Sequence, residues 1–124
     1  MLPLIARLLV LVVALIHVFF LVLEMFLWTT PFGQRTFNMT PDFAAASSVL
    51  AANQGLYNGF LAAGLLWSLI APKALSFSLK LFFLGCVIVA GLYGAATAKT
   101  SILFIQALPA AIALAFVWLA RDKD

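Results

Sequence analysis

Residues 5–28 read IARLLVLVVALIHVFFLVLEMFLW, and this stretch decides the class of the protein. Only Arg7, His17 and Glu24 interrupt it with ionisable groups. A run of about 20 predominantly apolar residues, rising ~1.5 Å each, spans the hydrocarbon core of a bilayer. The stretch is longer than the apolar core of a secretory signal, and no small-x-small cleavage site follows it. It therefore reads as a retained membrane helix.

The rest of the chain has the same character. Of 124 residues, 66% are hydrophobic and 9% charged, and the mean hydropathy is +1.19. A soluble globular domain carries about 25% charged residues, so the solvent for this surface is lipid. The pI near 9.4 raises the question of nucleic acid. The basic residues are scattered singly near predicted helix ends and form no patch, so no nucleic-acid partner is expected. Cys86 is the only cysteine, which excludes an internal disulfide and a cysteine-built metal site.

Three more apolar runs follow the first, and the predicted helices cover about 5–28, 42–71, 77–98 and 102–120. Thr40-Pro41-Asp42 supplies a cap and first turn for the second helix. Residues 29–41 form a polar, turn-rich loop, and the later connections are short enough to require antiparallel neighbours. The fold class is an all-α membrane protein: one domain, 1–124, folded as a four-transmembrane-helix antiparallel bundle. With four spans, Arg7, Lys73, Lys80, Arg121 and Lys123 share one side, against Arg35 and Lys99 on the other. That bias favours cytoplasmic termini in the inner membrane, with the 29–41 loop outside, and leaves a dual topology open. Lys80, about one turn into its predicted helix, is expected to snorkel to the interface.

The polar groups inside these spans are the candidates for function, because lipid cannot satisfy them. His17 and Glu24 are seven residues apart on one helical face, and Trp28 continues that stripe. Asn53, Gln54, Tyr57 and Asn58 pack four hydrogen-bonding side chains into six residues and cover about 140° of helix circumference. Gly55 and Gly59 give a neighbouring backbone room for close approach. Tyr93 and Thr97 share a face in the third helix, and Gln106 lies in the fourth. Pro109 releases the carbonyl of Ile105 and predicts a kink. All of these groups fall toward the outer half, which predicts a polar cavity beneath the long loop. Any one amide serves equally well as glue between helices. One His and one Glu are too few for a closed zinc site, so no metal and no cofactor is expected.

At these residues the chain resembles a family of small four-helix bacterial membrane proteins known only as a domain of unknown function. The resemblance rests on His17, Glu24-Met25-Phe26-x-Trp28, Asn53-Gln54-Gly55-x-Tyr57-Asn58-Gly59, Gly91-x-Tyr93-Gly94 and Gln106-x-x-Pro109. It implies a location and a fold but no activity. A second likeness, in size, helix count, long first loop and amide-rich second helix, is to the membrane-associated eicosanoid and glutathione metabolism superfamily. That likeness implies a trimer with sites between subunits. This chain departs from it in having no arginine or glutamate beside Asn53 and no membrane-embedded arginine in the last helix, so glutathione would lack its cationic partners.

The resulting expectation is a homo-oligomeric membrane protein that binds a small or amphipathic ligand through Asn53, Gln54, Tyr57, Asn58, Tyr93, Thr97 and Gln106. One alternative is an enzyme acting on a lipophilic substrate with Glu24 and His17 as acid and base. Another is a small proton-coupled exporter with Glu24 as the coupling carboxylate.

Overall fold

The computed structural model describes residues 1–121. The tail residues 122–124, to which the sequence assigns the stop of the last span and one of the basic residues, lie outside the described residues. Five α-helices and one π turn follow in order: α1 Leu2–Phe26, α2 Pro31–Phe37, α3 Pro41–Ile70, α4 Lys73–Thr97, the π turn Leu103–Ala107, and α5 Leu108–Ala120. No strand occurs among the described residues. Three segments are long and apolar enough to cross a membrane, Leu2–Phe26, Lys73–Thr97 and Leu103–Ala120, which points to a membrane protein. The sequence expects four such spans. α3 has the length, 30 residues, or ~45 Å. Asn53, Gln54, Tyr57 and Asn58 interrupt its apolar surface, and it does not join the other three.

The described chain divides into two compact units, 15–62 and 1–14 with 63–121. In the first, the latter part of α1 runs antiparallel to the first half of α3. Trp28 meets Ser47, Glu24 meets Asn58, and Leu21 lies against Gly59. The face that α3 buries is built from Ala44, Ala51, Gly55, Asn58 and Ala62. Their spacings of seven, four, three and four residues follow a 3.5-residue seam. A Cβ on Gly55 would stand 2.8 Å from Met25 Cγ, 3.0 Å from Glu24 Cβ and 3.1 Å from Leu21 O. The Gly55/Gly59 spacing is thus used inside the chain, to bring α1 close to α3.

α2 occupies what the sequence reads as an irregular loop. Thr30 caps it, its Oγ1 accepting from Gly33 N at 3.3 Å, and Pro31 fills the first position, where a missing N–H costs nothing. Asn38 ends it in the left-handed conformation, φ 53° and ψ 49°. Thr40 then caps α3, accepting from Phe43 N at 3.2 Å, as its position before Pro41 predicts.

In the second unit α4 begins at Lys73, four residues before the predicted start, with Pro72 as its N-cap. Lys80 is consequently two turns into the helix rather than one and is 6% exposed. Ser76 Oγ donates to Ser68 O at 2.7 Å across the α3–α4 corner, and Arg7 Nη2 donates to Leu69 O at 3.0 Å. Farther along α4, Gly91 faces Ala107 and Gly94 faces Ile102. Ile102 and Ala107 are five residues apart, a spacing that would put them about 140° apart on an α-helix. The π turn between them brings both onto α4, and the Leu108 N–H bonds to Leu103 O, five residues back. The π turn lies immediately upstream of Pro109, where the sequence predicts a kink.

Candidate functional site

The unit 15–62 holds a polar constellation set by α1 and α3. Asn58, 6% exposed, donates from Nδ2 to Glu24 Oε2 at 2.7 Å and to Gln54 O at 3.3 Å. Glu24 is half-buried, and its partner across the seam is the one amide of the α3 cluster that faces inward. His17, two turns earlier on the same face of α1, is 0% exposed and meets Phe20 edge-on with centroids 5.7 Å apart. The stripe ends at Trp28, whose Nε1 donates to Ser47 Oγ at 3.0 Å and whose ring lies 4.7 Å from that of Phe37 in α2. Ser47 Oγ passes the chain on, donating to Phe43 O at 2.7 Å.

The remaining expected site residues divide differently. Asn53, Gln54 and Tyr57 lie on the exposed side of α3, with Tyr57 55% exposed. In the other unit Tyr93 is 71% exposed, and Thr97, also exposed, donates its hydroxyl back to Tyr93 O at 2.7 Å. Gln106 is half-buried within the π turn. Of the residues expected to line one interior space, Glu24, Asn53 and Tyr57 belong to the unit 15–62, and Tyr93 and Gln106 to the other. On α3, Asn58 is joined to the half-buried Glu24, while Asn53, Gln54 and Tyr57 form an outward polar face on the same stretch of helix.

The geometry of α3 explains the split. The buried seam and the polar cluster overlap only at Asn58, because Gln54 is about 40° farther round and Asn53 nearly opposite the seam. Sequence reasoning missed Ser47, which ties Trp28 to α3, and Gly33, which seats α2. The seven-residue recurrence Ala44, Ala51, Asn58 was the signal that could have separated Asn58 from its neighbours. Among the described residues no three of His, Cys, Asp and Glu gather as metal ligands. The chemistry on offer is hydrogen bonding, with a single carboxyl group at its centre.

Such an arrangement, apolar helices joined by a buried acid–amide pair, defines a small helical membrane protein with a polar site of its own. Residues 11–118 match the family described as a protein of unknown function, DUF1304, and the chain belongs to that family. It is also similar to the uncharacterized protein YpaA of Lactococcus lactis subsp. lactis (strain IL1403). The two are 34% identical over 106 residues, covering 84% of this chain and 88% of the relative. No solved structure matches the chain.

Proposed function

We propose that this protein is a four-span inner-membrane protein that binds an amphipathic molecule against the exposed polar face of α3, with Glu24–Asn58 as its rigid backing. The observation that carries the reading is the depth of that face. Asn53 and Tyr57 are the 13th and 17th residues of a 30-residue helix, ~18 and ~24 Å from its start. If α3 crosses the bilayer, three hydrogen-bonding side chains sit near its midplane with nothing in hydrocarbon to satisfy them. A ligand carrying donors and acceptors on an apolar body answers that need.

Native mass spectrometry of protein extracted from its own membranes tests the reading. A co-purifying molecule of defined mass is expected, reduced about tenfold or more in Asn53→Leu/Tyr57→Phe. If no molecule co-purifies and the same substitutions dissociate a homo-oligomer, the face is a contact between subunits and the ligand reading is lost. The enzyme reading draws less support, since a His17 that is 0% exposed cannot reach a substrate without local opening. The exporter reading draws on Glu24 alone. Its test is Glu24→Gln, which keeps the hydrogen bond from Asn58 and removes the proton exchange that coupling requires.

A further inference from the structure

The polar face of α3 has a charged end. Glu24 is the one acidic residue within an apolar run of the sequence, and Asn58 Nδ2 donates to its Oε2 at 2.7 Å. An amide gives that oxygen a hydrogen but no positive charge. A carboxylate accepts at two oxygens, so one bond leaves capacity for a further partner. Away from water an ionised carboxyl group is costly until a cation or a proton neutralises it.

Gly55 sets where this group lies on α3. A Cβ there would stand 3.0 Å from Glu24 Cβ, so the bare backbone lets Glu24 rest directly on the helix. From that contact the polar residues of α3 run round the helix in one direction. Asn58 borders the seam, Gln54 follows ~40° farther on, Tyr57 ~100° and Asn53 ~140°. Asn58 Nδ2 also donates to Gln54 O at 3.3 Å, which ties the first two steps of the arc to Glu24. Glu24 is half-buried and Gln54 is exposed, so the arc leads from the carboxyl group out to an open face. Its far side is aromatic, with the exposed rings of Tyr57 and Phe60 6.0 Å apart between centroids. Ring faces attract cations, and more strongly when the cation is desolvated. Leu50, one turn before Gln54 and also exposed, continues the surface as hydrocarbon.

A molecule matching these surfaces in order has a positive head and an apolar body. A neutral amphiphile would use the amides and leave the carboxyl group unanswered, while an anion would be repelled by it. We infer that the ligand of the α3 face is a lipophilic ammonium ion, its nitrogen beside Glu24 and its apolar body against Leu50 and Phe60. This assignment rests on the ligand reading above and adds to it the charge of the ligand.

The test uses the full chain in a neutral detergent and three probes that share one alkyl chain: decyltrimethylammonium, decanol and decanesulfonate. Titration calorimetry, with the detergent alone as blank, measures the affinity of each. The cation is expected to bind at least about tenfold more tightly than the other two. Glu24→Gln keeps the hydrogen bond from Asn58 and should bring the cation down to the level of decanol. Gln54→Lys sets a fixed ammonium at an exposed position beside the carboxyl group. It should have the same effect, and it decides the matter if Glu24→Gln does not fold. Tyr57→Leu should weaken the cation about twofold to fivefold beyond any loss for decanol, the worth of one exposed cation–π contact. Dihexanoyl phosphatidylethanolamine in excess identifies the source of the ammonium. Displacement of decyltrimethylammonium by it supports a lipid headgroup as the ligand, and no displacement supports a free amine. Equal binding of the three probes overturns the charge assignment, as does a cation preference that survives in both Glu24→Gln and Gln54→Lys. In that event Asn53→Leu/Tyr57→Phe still separates the two readings. It weakens all three probes alike if the ligand face stands without its charge preference, and changes none of them if the face binds no ligand.

Discussion

The Asn58–Glu24 hydrogen bond can be weighed by a double-mutant cycle, and the structure sets its expected asymmetry. Asn58→Leu is close to isosteric and removes the donor 2.7 Å from Glu24 Oε2, leaving a half-buried carboxyl group without its partner from α3. Glu24→Leu removes the acceptor, but Asn58 Nδ2 keeps the Gln54 carbonyl at 3.3 Å. Stranding a buried polar group costs about 1–3 kcal/mol, so Asn58→Leu should lose ~2 kcal/mol and Glu24→Leu closer to ~1. Replacing both partners by apolar groups is nearly neutral in principle. Hydrogen bonds measured between membrane helices run from ~0.6 to ~1.7 kcal/mol. The double variant should therefore be more stable than the sum of the singles by about 1 kcal/mol. Reversible unfolding in mixed micelles, followed by tryptophan fluorescence, gives all four corners of the cycle. Losses that add within ~0.3 kcal/mol would mean the pair is uncoupled, and the acid–amide site would cease to be a unit.

Other consequences are simpler to read. Gly33→Ala drives a Cβ into the carbonyl oxygens of Leu27 and Trp28. It should cost about 1–3 kcal/mol and speed hydrogen exchange across 31–37, and unchanged exchange there would show that α2 is not seated as described. Trp28→Phe and Ser47→Ala each delete the 3.0 Å bond from Nε1 to Oγ. Each should lower stability by about 0.5–1.5 kcal/mol, with little further loss in the double variant; two fully additive losses would refute the contact. Reporter fusions at residue 124 and within 29–41 should put the terminus in the cytoplasm and the loop outside, following the uneven Lys/Arg distribution. A C-terminus outside in most molecules would reverse the topology.

Hydrophobic runs made the helices legible, because length and apolarity are local properties of the chain. The Thr40-Pro41-Asp42 start of α3 was legible for the same reason, and Thr40 does cap it. α2 was not, since Thr30, Pro31, Gly33 and Asn38 are residues of turns and of short capped helices alike. The early start of α4 at Lys73 was hidden by the polar composition of its first turns, and with it the burial of Lys80. The Glu24 and His17 stripe was readable from spacing alone. The orientation of the α3 cluster was not, because four polar residues over 140° of arc read as one face until the partner helix is known. Small residues fixed that partner: Ala51, Gly55 and Ala62 admit α1 to one side of α3, and Asn58 is the polar residue that falls within that side.

The wide turn before Pro109 also bears on how chain length is counted in this part of the protein. Ile102 and Ala107 reach Gly94 and Gly91 although four residues separate them. An ordinary α-helix makes the same pair of contacts with three residues between, since positions four apart share a face. The π turn is thus an insertion accommodated in place, with the surplus residue taken up as extra girth. A relative shorter by one residue between these two anchors keeps the α4 contact by reverting to α geometry, so a single-residue gap there carries no change of fold. A gap of one residue between Gly91 and Gly94 has no such outlet. It would swing one glycine about 100° off the shared face and present a side chain to the Ala107 backbone.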